Sequence, residues 1–370
     1  MTKKQKISVL LFEDKRDERE TILKALKTTL PKGVEVIPFI GTAVPLNGTY
    51  ETRLLNAFKN EFKQASLILC DQDLSQIEGY SGLSANVVTA IAREEGIPIA
   101  IYGRGNNDDM LQRLRQRRHF LERRFILELG DEWIPESFAK SAAMVLRGCM
   151  EIREFLKEAT KKGKAGGGSP AVWLSRILGK DSIRTRLSLY GSGDQQYLET
   201  LVFTDVSADS NKAIRILSSE LSYWLWDSIL RFPGILVDET AAASLLNLSP
   251  SSWEKEGVRK LFSSALYTGP FSTRKQHWWR DEIVAILSKN ECADGLELAK
   301  MKKISGVAPS KCSVDPSKKA GYYCMLSRQP VSIENSVGSI PYFPSGADLA
   351  RISSKEFARI APWAGLEVKK

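Results

Sequence analysis

Short apolar runs alternate with amphipathic stretches along the N-terminal third of the chain. Residues 7–12 (Ile-Ser-Val-Leu-Leu-Phe), 34–37, 65–70, 97–102 and 125–129 are near-continuous apolar segments of strand length. Between them, segments 16–30, 52–63, 86–95 and 110–124 place apolar residues at helical spacing, with Ile22, Leu23, Leu26 and Leu30 forming the stripe of the first. Strands that are apolar on both faces and alternate with helices predict a parallel sheet covered on both sides. The expected fold is an α/β, flavodoxin-like doubly wound domain. A further helix is expected over Glu136–Lys162, with Phe138, Ala142, Val145, Leu146, Met150 and Phe155 inward.

The texture breaks at Lys161–Ser169, where three consecutive glycines stand among lysines. Such a stretch cannot pack a core and reads as a flexible linker. The division expected is a domain over residues 1–155, a helix end and linker over 156–170, and a C-terminal domain over 171–370. Seven of the eight tryptophans lie beyond the break. The C-terminal domain reads as mainly helical, with an apolar stripe at Ile214, Leu217, Leu221, Trp224, Leu225 and Ile229. Past about residue 303, glycine, proline, serine and β-formers dominate, which predicts a β segment near 320–345.

Composition narrows the class. At 370 residues, 43% hydrophobic and 26% charged, the chain is globular in character, and disordered, collagenous and fibrous classes are excluded. No apolar run reaches the roughly 20 residues of a membrane helix, and residues 1–6 lead into the first strand without a secretory signal. The five cysteines include no C-x-x-C pair, which suits thiols in a reducing compartment. A cytoplasmic protein with no membrane contact is expected. Of the net charge of +9, little lies in residues 1–150, which carry 22 basic and 20 acidic side chains. The surplus in the remainder permits an acidic or nucleic-acid partner without demanding one.

Candidate chemistry gathers where strands end. The first strand runs into Glu13-Asp14, with Asp17 close behind, and the third runs into Asp71-Gln72-Asp73. Ligands of doubly wound sheets sit beyond the carboxyl ends of strands. Carboxylates crowded there persist with water, a cation or a hydrogen-bond donor beside them. Acids at a strand-to-helix junction also serve as N-caps, and that role is the alternative for Asp14 or Asp17 before the first helix.

An acid pair after the first strand, followed about 57 residues later by an aspartate after the third, resembles the receiver domain of two-component response regulators. The resemblance covers about residues 5–150. It implies that Glu13 and Asp14, with Asp71, form a Mg²⁺ site and that Asp71 holds the phospho-acceptor position. The chain departs from the pattern twice. Gly103, preceded by Tyr102, stands where receivers carry a threonine or serine. Asp131 and Glu132 stand where they carry a lysine after the fifth strand. Acids in place of a cation oppose phosphoryl transfer, which depends on neutralising charge over the oxygens. A degenerate receiver that leaves Asp71 unused is therefore expected. An inactive receiver with a helix-rich tail also resembles regulatory proteins of bacterial conflict and phage-defence operons.

Two basic groups remain. Arg113, Arg117, Arg118 and Arg124 belong to a run that can bind phosphates or an acidic partner surface, or can form a solvated helix face. Residues 238–260 resemble a helix-turn-helix pair with a second helix starting near Ser251, so Ser251, Lys255, Arg259 and Lys260 are candidate nucleic-acid contacts. The glutamates at 254 and 256 and the glycine at 257 weaken that reading, and an ordinary helical hairpin is the alternative. His277 has no acid or cysteine at ligand spacing. Cys292, Cys312 and Cys324 lack the close pairs of a zinc site. The expectation is a non-catalytic regulatory or adaptor protein that binds a protein partner and carries no cofactor except a possible Mg²⁺. The alternative is a DNA-binding response regulator.

Overall fold

The computed structural model describes residues 7–41, 49–60, 62, 65–80, 82–103, 124–127, 133–161, 169–190, 210–273, 275–338, 340 and 343–364. Five strands, β1 (Ile7–Phe12), β2 (Val34–Pro38), β3 (Ala65–Asp71), β4 (Ile99–Tyr102) and β5 (Phe125–Ile126), form one sheet in the order β2-β1-β3-β4-β5. Every neighbouring pair is parallel. This 2-1-3-4-5 order is the flavodoxin-like doubly wound topology, whose order reverses between β1 and β3. Helices α1 (Arg16–Thr29), α2 (Tyr50–Asn60), α3 (Ala85–Glu94) and α4 (Pro135–Lys161) accompany the sheet. Leu10, Phe12, Ile68, Cys70, Ile99 and Ile101 pack with Leu54, Phe58, Val88 and Ile91 in one buried cluster. The strands are apolar throughout because both faces of the sheet are covered.

The remaining elements include α5 (Pro170–Ile177), α6 (Arg184–Ser188) and α7 (Ser210–Trp224), the last continuing into a π-type turn at Leu225–Ile229. A two-stranded antiparallel pair follows, β6 (Leu236–Asp238) with β7 (His277–Trp279). A four-stranded sheet of order β10-β11-β8-β9 joins β8 (Tyr322–Cys324), β9 (Pro330–Val331), β10 (Ser336–Val337) and β11 (Ala350–Ser353). The expected β segment near 320–345 thus extends to 353. No helix among the described residues is long and apolar enough to cross a membrane.

Two compact units emerge. The first draws on described residues within 1–109, 121–170 and 197–223, and the second on those within 171–196 and 224–370. Ser210–Tyr223, which the stripe pattern assigns to the C-terminal half, therefore packs with the first unit. The glycine-rich residues 162–168 lie outside the described residues.

Much of the contact that joins α7 to the first unit is polar. Lys212 Nζ lies 3.2 Å from Glu95 Oε1, and Arg215 Nε donates to the Glu95 carbonyl at 3.2 Å. Glu220, only 2% exposed, faces Arg93 at 3.6 Å. The Ile99 amide, at the start of β4, donates to the Tyr223 hydroxyl at 2.8 Å, and the Tyr223 ring lies 4.7 Å from that of Phe125. Gly96 allows the approach: its φ is +67°, and a Cβ there would lie 2.6 Å from the Ile216 amide nitrogen.

Candidate functional site

The reversal of strand order between β1 and β3 leaves a crevice at their carboxyl ends. β1 delivers Glu13 and Asp14 into it, and β3 delivers Asp71. One ligand atom from each of these three carboxylates lies within 4.8 Å of the other two. Octahedral Mg²⁺ with oxygens at about 2.1 Å needs ligand pairs about 3.0–4.2 Å apart, and the 4.8 Å limit of the trio lies a little above that range, so the carboxylates would close slightly around the ion. Among the described residues, no other group of three or more histidine, cysteine or acidic side chains converges in this way.

Each acid is held differently. Glu13 is fully buried. Its Oε1 accepts the Lys15 amide at 3.1 Å, and its Oε2 accepts the Tyr102 hydroxyl at 3.1 Å. Burial pushes its carboxyl from 4.5 up to about 7; the Lys15 amide pulls it back, and the charge on Asp71 adds to the rise. Asp71 accepts the Gln72 amide at 2.7 Å. Burial raises it from 3.8 to about 6, opposed by that amide and aided by the charge on Asp14. Asp14 Oδ2 accepts the Gln76 amide at 2.9 Å, whereas Oδ1 is buried with no hydrogen-bond partner. A buried carboxylate oxygen without a donor is costly and fits a cation ligand. The donor set therefore suits a hard divalent cation, and neither Asp14 nor Asp17 acts as a side-chain N-cap, because α1 is capped by Lys15 without a side-chain bond.

A cavity of about 370 Å³ opens beside Asp71, lined by Lys15, Glu18, Asp71, Gln72, Asp73, Tyr102, Gly103 and Trp133. Gly103 stands at the end of β4 with no hydroxyl to offer. Tyr102 fills the neighbouring space. Its ring stacks on Trp133 at 6.3 Å and meets Phe138 edge-on at 4.8 Å, while its hydroxyl also lies 3.3 Å from the Phe12 carbonyl. Among the described residues the cation lining the cavity is Lys15, in the loop after β1, whose ammonium pairs with Glu18 at 3.5 Å and lowers the Asp71 carboxyl.

No family model matches the chain, and no curated protein matches it. Among solved structures the chain is similar to the response regulator receiver domain from Rhodospirillum rubrum. That likeness is 18% in sequence with a TM-score of 0.26, over 38% of this chain and 90% of that one.

Arg113, Arg117 and Arg118 lie outside the described residues, as do Asp131 and Glu132. Arg124 donates to Asn86 Oδ1 at 3.2 Å, linking the start of β5 to α3. In the segment resembling a helix-turn-helix, α8 (Glu239–Leu245) is followed by two short helices, α9 (Pro250–Trp253) and α10 (Glu256–Leu261). The recognition helix expected from Ser251 is thus broken at Glu254–Lys255. Ser251 bonds Ser249 at 3.1 Å, Lys255 donates to the Ser305 carbonyl at 3.0 Å, and Arg259 pairs with Glu239 at 3.0 Å. Lys260 is exposed. Sequence reasoning missed Lys15, the Tyr102 hydroxyl and Trp133 as parts of the pocket. Lys15 follows the acid pair directly, a signal that was available. The Tyr102–Glu13 bond spans 89 residues and has no local signature.

Proposed function

We propose that the chain is a non-catalytic regulatory protein whose first unit is a receiver-like module that engages a protein partner without a phosphoryl switch. The observation that carries the reading is the end of β4: Gly103 offers no hydroxyl, and the Tyr102 hydroxyl is committed to Glu13. A switch that detects a phosphoryl group needs a mobile donor at that point, and a buried aromatic hydroxyl bonded to Glu13 and packed on Trp133 and Phe138 does not move freely. Glu13, Asp14 and Asp71 would hold Mg²⁺, which would supply positive charge to offset the clustered carboxylates. On this reading the cation orders the loops after β1 and β3 and so shapes the surface that a partner meets.

Lys15 supports a second reading. An ammonium beside Asp71 can neutralise phosphoryl oxygens from the β1 side, in place of a lysine after β5. Acetyl phosphate with Mg²⁺ decides between them. The first reading expects an unchanged intact mass. A gain of one phosphoryl group, lost in Asp71→Asn, overturns it in favour of the second.

A further inference from the structure

His277 lies in the second unit, apart from the acid pocket. It opens β7, is 3% exposed, and pairs across the strands with Asp238. Its Nδ1 lies 2.8 Å from the Lys275 carbonyl oxygen and its Nε2 lies 2.8 Å from the Leu230 carbonyl oxygen. A carbonyl oxygen accepts and cannot donate, whereas a neutral imidazole has one N–H and one bare nitrogen. With a single ring proton, one of these two contacts would set lone pair against lone pair at hydrogen-bond distance. Both are hydrogen bonds only when both nitrogens carry protons. We infer that His277 is held as a doubly protonated imidazolium, a proton-dependent clamp that ties the turn at Leu230 to the β6–β7 pair.

The surroundings give the clamp its work. Leu230 follows the π-type turn at 225–229, where helix-end carbonyls need donors from elsewhere in the fold. Nε2 supplies one for Leu230, and Nδ1 closes the chain at Lys275 just before β7. Asp238 stands opposite His277 in the strand register; its Oδ2 accepts from Lys275 Nζ at 2.7 Å and its Oδ1 from the Ala241 amide at 2.9 Å. Tyr323, on β8, also feels the charge of Asp238. Beside Leu230, Asp227 and Arg231 pair with each other at 3.1 Å. In α11 (Arg280–Lys289), which follows β7, Arg280 pairs with Asp348, Asp281 with Arg186 and Glu282 with Lys180. Each of these ions has its own partner, and Asp238 is the anion on the strand that faces His277. Loss of one ring proton leaves a buried carbonyl opposite a bare nitrogen and loosens the turn.

The full-length protein suits a direct test, since its two histidines are His119 and His277. Long-range ¹H–¹⁵N spectra of the ring nitrogens, assigned with His119→Gln, should show both His277 nitrogens protonated at pH 7.5. A bare-nitrogen signal from His277 at that pH overturns the inference. Unfolding of the wild type against His277→Gln gives a second readout. A proton held by the folded state is lost as pH rises, so the wild-type unfolding constant, relative to the variant, should climb about tenfold per pH unit above about 6.5 until the proton leaves. A ratio that stays flat from pH 6 to 9 refutes the clamp.

Discussion

Replacing Glu13 by glutamine should stabilise this protein at pH 8 and leave it unchanged at pH 4. In the unfolded chain the Glu13 carboxyl ionises near 4.5, whereas burial delays ionisation in the folded state to about 7. The folded state therefore binds the extra proton between these values, and stability falls as pH rises through that window. Above pH 7 the full cost is present, about 3 kcal/mol for a displacement of this size. Below 4.5 the side chain is neutral in both states and costs nothing. Glutamine copies the neutral form: its carbonyl oxygen can accept the Lys15 amide, and its NH₂ can donate to Tyr102 while that hydroxyl turns to the Phe12 carbonyl. Urea unfolding of both proteins without divalent cations, at half-unit steps from pH 4 to 8, measures the difference. We expect it to rise from near zero to about 3 kcal/mol, or roughly 6–12 °C in Tm for a unit of this size. A variant no more stable than wild type at pH 8, or a gain independent of pH, refutes the account of Glu13 as a buried carboxyl held ready for a cation.

Three further outcomes follow from the same geometry. Millimolar Mg²⁺ or Mn²⁺ at pH 8 should raise the Tm of the wild type but not of Asp14→Asn or Asp71→Asn; an equal rise in all three would place the cation elsewhere. Because Glu13 and Asp71 hold protons up to about 7 and about 6, cation binding at pH 6 should release protons, seen in calorimetry as a heat that varies with the ionisation enthalpy of the buffer. Tyr223→Phe leaves the Ile99 amide in the sheet without its acceptor, which should cost about 1–3 kcal/mol in urea unfolding, and a cost below about 0.5 kcal/mol would argue against the docking of α7 on β4.

The doubly wound sheet was legible because its information is local. Apolar runs at β1, β3 and β4 and helical stripes between them carry their own periodicity, and parallel strands buried on both faces leave few ways to arrange them. The acids were legible for a related reason: strand ends are readable, and in this topology they mark the crevice. Their environment was not. Nothing near Glu13 in sequence announces a tyrosine hydroxyl 89 residues away or the burial that lifts its carboxyl to about 7. The stripe at 214–229 predicted a helix correctly. The same stripe gave no address for it, since a period of 3.6 reports which face is buried and not what covers it. In the C-terminal half, capped starts at Asp238 and Ser249 looked like a helix pair, and both caps form, accepting the amides of Ala241 and Ser252. How far each helix then runs depended on packing around the buried Trp253 and Val258, with Trp253 meeting Trp278 at 4.9 Å across 25 residues of chain. Local propensity and periodicity thus determined the elements and the acid-bearing strand ends. The pocket's electrostatics, the docking of α7 and the clamp at His277 were decided by tertiary contacts, because desolvation and hydrogen-bond partnership exist only once distant segments meet.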